Sequence, residues 1–148
     1  MSDRPLLLIE DSPEDAEALT RTMRKLGMVR PLRHCATATA ALQYLRREGP
    51  FEGLNEPEPG LILLDLNMPG TDGCALLGII RADPKLRHLS IVVLSSSYNP
   101  RDVAAAYAAG ANAYQVKVMD TEALITSTKT MFEYWFDVAV VGAKEERR

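Results

Sequence analysis

Cysteine is scarce in this chain. The 148 residues include only Cys35 and Cys74, which are far apart and form no CxxC pair. A zinc site needs clustered thiolate and imidazole ligands, and a disulfide framework needs several paired cysteines. Neither is indicated here, so a reducing cytoplasm is the expected location. Both cysteines are predicted to be small core or half-buried residues.

Long apolar runs and basic runs are also missing. No apolar stretch approaches the roughly 20 residues that a membrane-spanning helix needs. The N-terminal apolar run is short and ends in an acidic pair, so no signal peptide is expected. The net charge is −3 and the body of the chain has no basic cluster, so nucleic acid is not a predicted partner.

Short apolar runs alternate with helical segments five times along the chain. Continuous apolar runs are typical of strands that are covered on both faces. Strands are predicted at 5–10, 31–37, 61–66, 89–95 and 112–118. Helices are predicted at 12–27, 37–49, 74–83, 100–110 and 120–141.

This alternation predicts a parallel sheet with helices on both faces. We expect one α/β domain of flavodoxin-like (βα)5 architecture, a three-layer sandwich with strand order 2-1-3-4-5 and an extended last helix. Its ligand crevice is expected beyond the carboxyl ends of the first and third strands, where the strand order reverses. Residues 49–60 are rich in Pro, Gly and Glu, which predicts a long exposed loop.

Polar residues end four of the predicted strands. Glu10 and Asp11 end the first strand, Asp65 the third, Ser95 the fourth and Lys117 the fifth. The carboxyl ends of parallel strands lie at one edge of the sheet, so these five side chains are expected to meet there.

Three carboxylates at close range repel one another unless a cation is present. Hard oxygen ligands at an open site suit Mg²⁺, and an aspartate can act as a nucleophile that forms an acyl phosphate. Asp65 ends the central strand and is the best placed nucleophile. The site therefore has the groups for phosphoryl transfer.

Each of these residues has a simpler explanation when taken alone. Asp11 and Ser12 could cap a helix, Ser95 lies in a serine run typical of loops, and the Lys117 ammonium could reach solvent. The combination favours a site because all these residues fall at the same predicted edge.

The motifs "IEDSPED", "LILLDLNMPGTDG", "IVVLSSS" and "AYQVKV" together resemble the receiver domain of two-component response regulators. The resemblance covers about residues 5–137, which we take as the domain core, with a C-terminal extension at 138–148. No effector domain follows, as in the single-domain chemotaxis regulator. The family resemblance implies Mg²⁺ as the cofactor and a sensor histidine kinase as the partner.

The resemblance also implies a role for each site residue. It makes Asp65 the phosphoryl acceptor, Lys117 the residue that pairs with the phosphoryl group and with the acceptor carboxylate, and Ser95 the switch hydroxyl. The aromatic that changes rotamer is Tyr114. The implied metal ligands are Glu10, Asp11, Asp65 and the backbone carbonyl of Asn67.

Two features depart from the family pattern. Proline usually follows the lysine, often after a cis bond, whereas this chain has Val118. A cis bond before a non-proline residue costs about 3 kcal/mol, so we expect a trans Lys117–Val118 bond or an altered loop. The long 49–60 loop resembles that of regulators paired with bacterial and cyanobacterial phytochrome kinases.

The last predicted helix carries more apolar surface than packing on one sheet face requires. An exposed apolar surface favours a partner, and aromatic residues are enriched in interfaces. We therefore expect a homodimer through the last helix, with the fourth helix and fifth strand as further contacts. The expected interface residues are Met131, Phe132, Tyr134, Trp135 and Phe136.

The function that follows is that of a phosphorylated switch and not of a metabolic enzyme. The fourth helix, fifth strand and fifth helix of the switch are expected to respond to phosphorylation. A pseudo-receiver or a phosphate sink remain alternatives. An aspartate-nucleophile phosphohydrolase needs an acid/base two residues after the nucleophile, where Asn67 cannot move a proton. A flavodoxin-type cofactor site needs a phosphate cradle, which the acidic first loop would repel.

Overall fold

Within the part of the chain that the structure describes, five strands and five α-helices alternate, as predicted. The computed structural model describes residues 4–68 and 72–142, so residues 69–71 of the "NMPGTDG" motif and 143–148 of the predicted extension lie outside the described residues. The strands are β1 (Leu6–Ile9), β2 (Leu32–Cys35), β3 (Leu61–Asp65), β4 (Ile91–Ser95) and β5 (Ala113–Val116). The helices are α1 (Pro13–Lys25), α2 (Ala38–Arg46), α3 (Gly73–Ala82), α4 (Pro100–Ala109) and α5 (Thr121–Phe132).

The strands form one parallel sheet in the order β2-β1-β3-β4-β5, which confirms the predicted flavodoxin-like topology. Successive side chains of a strand point to opposite faces, and both faces are covered. Leu7 and Ile9 of β1 pack in a core with α2, α3 and α4. Leu6 and Leu8 pack in a second core with α1 and α5. Covering both faces explains why the strand sequences are continuously apolar.

All five α-helices begin close to the carboxyl edge of the sheet, each at a polar capping residue. These capping residues are Ser12, Thr37, Asp72, Asn99 and Asp120. Each cap's side-chain oxygen accepts a backbone N–H of the first turn, a group that otherwise lacks a partner. Polar strand ends and helix N-termini therefore share one edge of the molecule.

The predicted 49–60 loop is only partly exposed. A 3-10 turn occupies Gly49–Phe51, and the Phe51 ring meets Tyr44 of α2 edge-to-face at 5.4 Å. Further along, Glu56 accepts a hydrogen bond from Arg33 Nε of β2 at 3.0 Å and another from the Tyr44 hydroxyl. The composition predicted the loop correctly but not these contacts, which depend on residues distant in sequence.

The last helix is shorter than predicted. The α-helix ends at Phe132 and continues as a π-helical turn over Glu133–Val138. Ala139 is extended (φ −70°, ψ 140°), so the predicted helical residues 139–141 are not helical. Phe136 in the π turn packs beneath the Arg30 guanidinium, whose carbon lies 3.6 Å from the ring centre.

Two of the expected interface residues lie in the core of their own chain. Met131 and Phe132 are 8% and 2% exposed and pack with β1 and β3. They have almost no exposed surface that a partner could contact. Of the expected interface, only Tyr134, Trp135 and Phe136 therefore remain. The apolar sequence of this segment did not separate the side chains that fill the core from those that remain at the surface.

Glu56→Gln is expected to lower the free energy of unfolding by about 1 kcal/mol at neutral pH, the usual size of such a contact. The hydrogen bond from Arg33 is the largest of the causes that hold the pKa of Glu56 below its usual value, and the Tyr44 hydroxyl adds to it. A pKa that is lower in the folded state than in the unfolded state stabilises the fold at pH values above the unfolded-state pKa. This contribution disappears as the pH falls through the folded-state pKa. The difference between the variant and the wild type should therefore shrink below about pH 4.

Urea unfolding at a series of pH values measures this effect. Glu52→Gln is the matched control, because Glu52 is exposed in the same loop. A Glu56→Gln difference that is absent at neutral pH, or that persists unchanged in acid, would contradict the proposed tether.

Candidate functional site

The five side chains predicted from the strand ends lie together at the carboxyl edge of the sheet. Asp65 and Ser95 are the last residues of β3 and β4. Glu10 and Lys117 are the first residues after β1 and β5, and Asp11 follows Glu10. Glu10, Asp65 and Ser95 are buried, whereas Asp11 is exposed to solvent. The site, called the acidic crevice below, therefore combines buried and solvent-exposed groups at the edge where the strand order reverses between β1 and β3.

Lys117 joins the acidic groups of the crevice. Its Nζ lies 3.0 Å from Glu10 Oε1 and 3.0 Å from Asp65 Oδ2. The partner predicted for this lysine, Asp65, is thus present. A third carboxylate, Asp15 Oδ2 in the first turn of α1, lies 3.1 Å from the same ammonium.

Glu10, Asp11 and Asp65 form a candidate metal site. Each offers one carboxylate oxygen, and the three oxygens lie within 4.8 Å of one another. An all-oxygen set with one solvent-exposed member matches the preference of Mg²⁺, which binds one or two carboxylates and keeps several waters. The donor set therefore fits a hard divalent cation.

The carboxyl groups of the site influence one another. Burial and the adjacent Asp65 carboxylate raise the pKa of Glu10 to about 8. Burial alone would also raise the pKa of Asp65, but hydrogen bonds from Glu10, the Asn67 backbone N–H and Lys117 outweigh it and lower that pKa. Asp65 is therefore the ionised member of the pair, which suits a nucleophile.

Burial alone would lower the pKa of Lys117. Its hydrogen bonds to Glu10, Asp65 and Asp15 outweigh burial and raise that pKa. The ammonium therefore keeps its charge in the crevice, where it offsets part of the negative charge.

Ser95 and Asn67 are hydrogen-bonded to each other beside Asp65. The Ser95 hydroxyl donates to Asn67 Oδ1 at 3.2 Å, and Asn67 Nδ2 donates to Ser96 Oγ at 2.6 Å. The Asn67 backbone N–H donates to Asp65 Oδ1 at 2.9 Å. The Ser95 hydroxyl is thus held by Asn67.

Tyr114 contacts the loop that follows β4. Its hydroxyl donates to the Ser97 carbonyl at 2.9 Å, and the Ser97 backbone N–H donates to Ser95 Oγ at 3.2 Å. The Tyr114 backbone N–H donates to the Tyr107 hydroxyl of α4 at 3.1 Å. The predicted switch residues Ser95 and Tyr114 are therefore linked through one short segment.

The Lys117–Val118 peptide bond is trans, since no cis bond occurs in residues 4–68 and 72–142. This confirms the expectation for a lysine that is not followed by proline. The Lys117 backbone N–H donates to the Ser95 carbonyl at 2.8 Å, which continues the β4–β5 ladder by one residue. Lys117 reaches the acidic crevice from this position.

Asp15 is the site residue that sequence reasoning missed. It lies in the first turn of α1, where acidic residues are common, so the local sequence does not mark it as a site residue. The available signal was Lys117 itself, because an ammonium has three donors and only one partner had been predicted.

The comparisons with known proteins agree with the fold. The family model described as response regulator receiver domain matches residues 6–129. The chain belongs to this receiver family. Receiver domains are the signalling switches of two-component systems, and phosphorylation on an aspartate is implied by membership.

Several relatives cover nearly the whole receiver. Response regulator Rcp1 of Synechocystis is 32% identical over 138 residues, 93% of this chain and 92% of that protein. Its Mn²⁺-bound crystal structure has a TM-score of 0.82 at 31% identity, covering 95% of this chain and 99% of that one. Receiver domains bind Mg²⁺ or Mn²⁺ at an acidic pocket, and the three carboxylates described above form such a pocket here.

Two further structures share the receiver fold at similar coverage. Response regulator RPA3017 "in red light signaling of R. palustris" has a TM-score of 0.89 at 28% identity, covering 95% of this chain and 99% of that one. The phosphorylated cyanobacterial phytochrome response regulator RcpA has a TM-score of 0.86 at 30% identity, with the same coverage. Among residues 4–68 and 72–142, no helix is both long and apolar enough to cross a bilayer.

Lys117→Met is expected to lower the free energy of unfolding by about 3 kcal/mol without divalent cations, because the buried Asp65 carboxylate loses its counter-charge. Saturating Mg²⁺ should recover part of this loss, since the cation neutralises the same carboxylate. Urea unfolding with and without Mg²⁺ measures both quantities. Lys129→Met is the control, because Lys129 is exposed on α5, and an identical loss with and without Mg²⁺ would argue against the metal site.

Proposed function

We propose that this receiver accepts a phosphoryl group on Asp65 from the phosphohistidine of a sensor histidine kinase, with Mg²⁺ bound. The position of Asp65 carries the proposal. Its buried carboxylate ends the central strand, with one oxygen on Lys117 Nζ and the other on the Asn67 backbone N–H. The carboxylates of Glu10 and Asp11 lie beside it.

The transfer step exchanges one bond for another. A carboxylate oxygen of Asp65 attacks phosphorus, a P–O bond forms and the P–N bond to the histidine breaks. The imidazole leaves with the electron pair and takes up a proton. When bound, Mg²⁺ neutralises charge on the phosphoryl oxygens. The proposed ligands are the carboxylates of Glu10, Asp11 and Asp65 with the Asn67 backbone carbonyl.

Within this step, Lys117 supplies fixed positive charge next to the acceptor oxygen. Such preorganised charge stabilises a transition state without further rearrangement. The same arrangement supports slow self-catalysed loss of the phosphoryl group. The activity proposed is thus that of a switch and not of a metabolic enzyme.

The switch is proposed to work through Ser95 and Tyr114. For its hydroxyl to reach a phosphoryl oxygen on Asp65, Ser95 must release Asn67. Because the Ser97 N–H is bonded to Ser95 and the Ser97 carbonyl to Tyr114, this movement changes the contacts of Tyr114. Through these contacts, the surface formed by α4, β5 and α5 is proposed to change on phosphorylation.

The proposed kinase is a phytochrome acting in the cytoplasm. Support comes from the red-light and phytochrome regulators among the structures that resemble this chain. The long loop at 49–60 agrees with this assignment. We propose that the chain is a single receiver domain with its core at about 5–137. The family model matches residues 6–129, and the alignment with Rcp1 extends over 138 residues.

Incubation with Mg²⁺ and acetyl phosphate should add one phosphoryl group to the wild type, measured by intact mass. Asp65→Asn should gain no such mass, because an amide oxygen is a poor nucleophile. A purified phytochrome kinase, autophosphorylated on histidine, should transfer its phosphoryl group in the same assay and faster than a chemotaxis kinase does.

Asp137→Asn is the matched control, because Asp137 is exposed on the π turn and should be phosphorylated like the wild type. A wild type that gains no mass from any donor would show that Asp65 is not an acceptor. Transfer that is no faster from the phytochrome kinase would remove only the proposed partner.

We further propose that the receiver forms a homodimer through the surface after α5. Tyr134 and Val138 of the π turn and Val140 beyond it are exposed, and Trp135 is partly exposed. Exposed apolar residues clustered on one segment favour a protein partner. Tyr134 and Trp135 also pack edge-to-face at 5.2 Å, which gives this surface a fixed shape.

Val138→Asp is expected to weaken dimerisation by about tenfold or more, the effect of losing one important interface contact. Sedimentation velocity over a concentration series measures the dissociation constant. Val29→Asp is the matched control, since Val29 is exposed in the turn between α1 and β2. A wild type that sediments as a monomer at tens of micromolar would overturn the dimer proposal.

A further inference from the structure

The Lys117 ammonium uses all of its hydrogen-bonding capacity. An ammonium has three N–H donors, and Lys117 Nζ has three carboxylate partners: Glu10 at 3.0 Å, Asp65 at 3.0 Å and Asp15 at 3.1 Å. A phosphoryl oxygen that is to bind Lys117 must therefore replace one of these carboxylates.

The three carboxylates do not hold Lys117 equally firmly. The side chains of Glu10 and Asp65 are 3% and 2% exposed, whereas that of Asp15 is 45% exposed. Without Lys117, the buried Asp65 would be an uncompensated charge and the buried Glu10 would lose a hydrogen-bond partner, and both losses are costly. An exposed ion pair contributes little, because water solvates the separated carboxylate. Asp65 stays beside Lys117 because it carries the phosphoryl group itself. Of the two other partners, the exposed Asp15 is the one that is lost at least cost.

We propose that Asp15 is an exchangeable ligand of Lys117, which a phosphoryl group on Asp65 displaces. The proposal rests on Asp65 being the phosphoryl acceptor. In the unphosphorylated protein, Asp15 occupies the third donor of Lys117 and ties helix α1 to the end of β5. Phosphorylation breaks this tie and releases the first turn of α1.

The surroundings of the ion pair permit such a release. A cavity of about 140 Å³ lies between α1 and the segment that leads into α5. Asp15 and Lys117 both line it, together with the apolar side chains of Leu19, Val118 and Leu124. Because packing is incomplete here, the first turn of α1 can shift without overlapping core side chains. The face formed by α1 and the β5–α5 connection therefore differs between the two states.

The opposite role would be a fixed support that merely orients Lys117. The two roles predict different effects on the binding of a phosphoryl mimic when the Asp15 charge is removed. If Asp15 competes with the phosphoryl group, its removal strengthens binding of a phosphoryl mimic. If Asp15 only supports Lys117, its removal weakens that binding or leaves it unchanged.

The test is the affinity of the full chain for beryllofluoride in the presence of Mg²⁺, measured by fluorescence or calorimetry. Asp15→Asn should bind beryllofluoride about two- to fivefold more tightly than the wild type, the range that corresponds to one exposed ion pair. Asp15→Glu, which keeps the carboxylate, should bind like the wild type.

Glu14→Gln is the matched control for net charge. Glu14 lies in the same turn and bonds the Ser12 hydroxyl instead of Lys117. The Glu14→Gln variant therefore measures how much a less acidic surface by itself strengthens the binding of an anion. An Asp15→Asn affinity no higher than that of Glu14→Gln would overturn the proposal.

A second measurement reports the release itself. On addition of beryllofluoride, the amide resonances of Asp15 and Ala16 should shift in the wild type and shift much less in Asp15→Asn. Equal shifts in both proteins would also overturn the proposal.

If the wild type binds no beryllofluoride and accepts no phosphoryl group, the function proposed for Asp65 fails and this inference fails with it. If the wild type binds and only the Asp15 results disagree, the function stands and this inference alone is wrong.

Discussion

The site depends on one half-buried cation, the Lys117 ammonium, which contacts three acidic side chains. Lys117 bridges Glu10 after β1, Asp65 at the end of β3 and Asp15 on α1. Leaving the buried, ionised Asp65 carboxylate without this partner would be strongly unfavourable. The central strands and the edge strand β5 must therefore keep their relative positions, and the strand order 2-1-3-4-5 brings their carboxyl ends to the same edge. The acidic crevice is thus a consequence of both topology and charge balance.

The rest of the sheet supplies the rigidity that this arrangement needs. The residues of β1 and the first four of β3 are apolar and almost completely buried between two layers of helices. Close packing of this kind fixes the backbone that carries Glu10 and Asp65. In contrast, Asp11 and Asp15 remain exposed. The site therefore combines fixed acceptor groups with groups that can exchange partners with water or a ligand.

Much of this could be predicted from the sequence, because the signals are local. Continuous apolar runs predicted the strands, and the polar residues at their ends predicted the crevice. The contacts that were missed join residues far apart in the chain, such as Glu56 with Arg33 and Asp15 with Lys117. The end of the last helix was also missed, because residues 139–141 are apolar and carry no stop signal before Gly142. Helical spacing alone could not show that Met131 and Phe132 would fill the core.

Val118 shows why a departure from the family pattern need not alter the site. Proline at this position would restrict the backbone directly after the lysine. In this chain the Lys117 backbone N–H instead extends the β4–β5 ladder to Ser95, while its ammonium is held by three carboxylates. The position of the lysine is thus determined by the residue's own contacts and not by the residue that follows it. The same three carboxylates also set the condition for any phosphoryl group, which must compete for an ammonium that is already saturated.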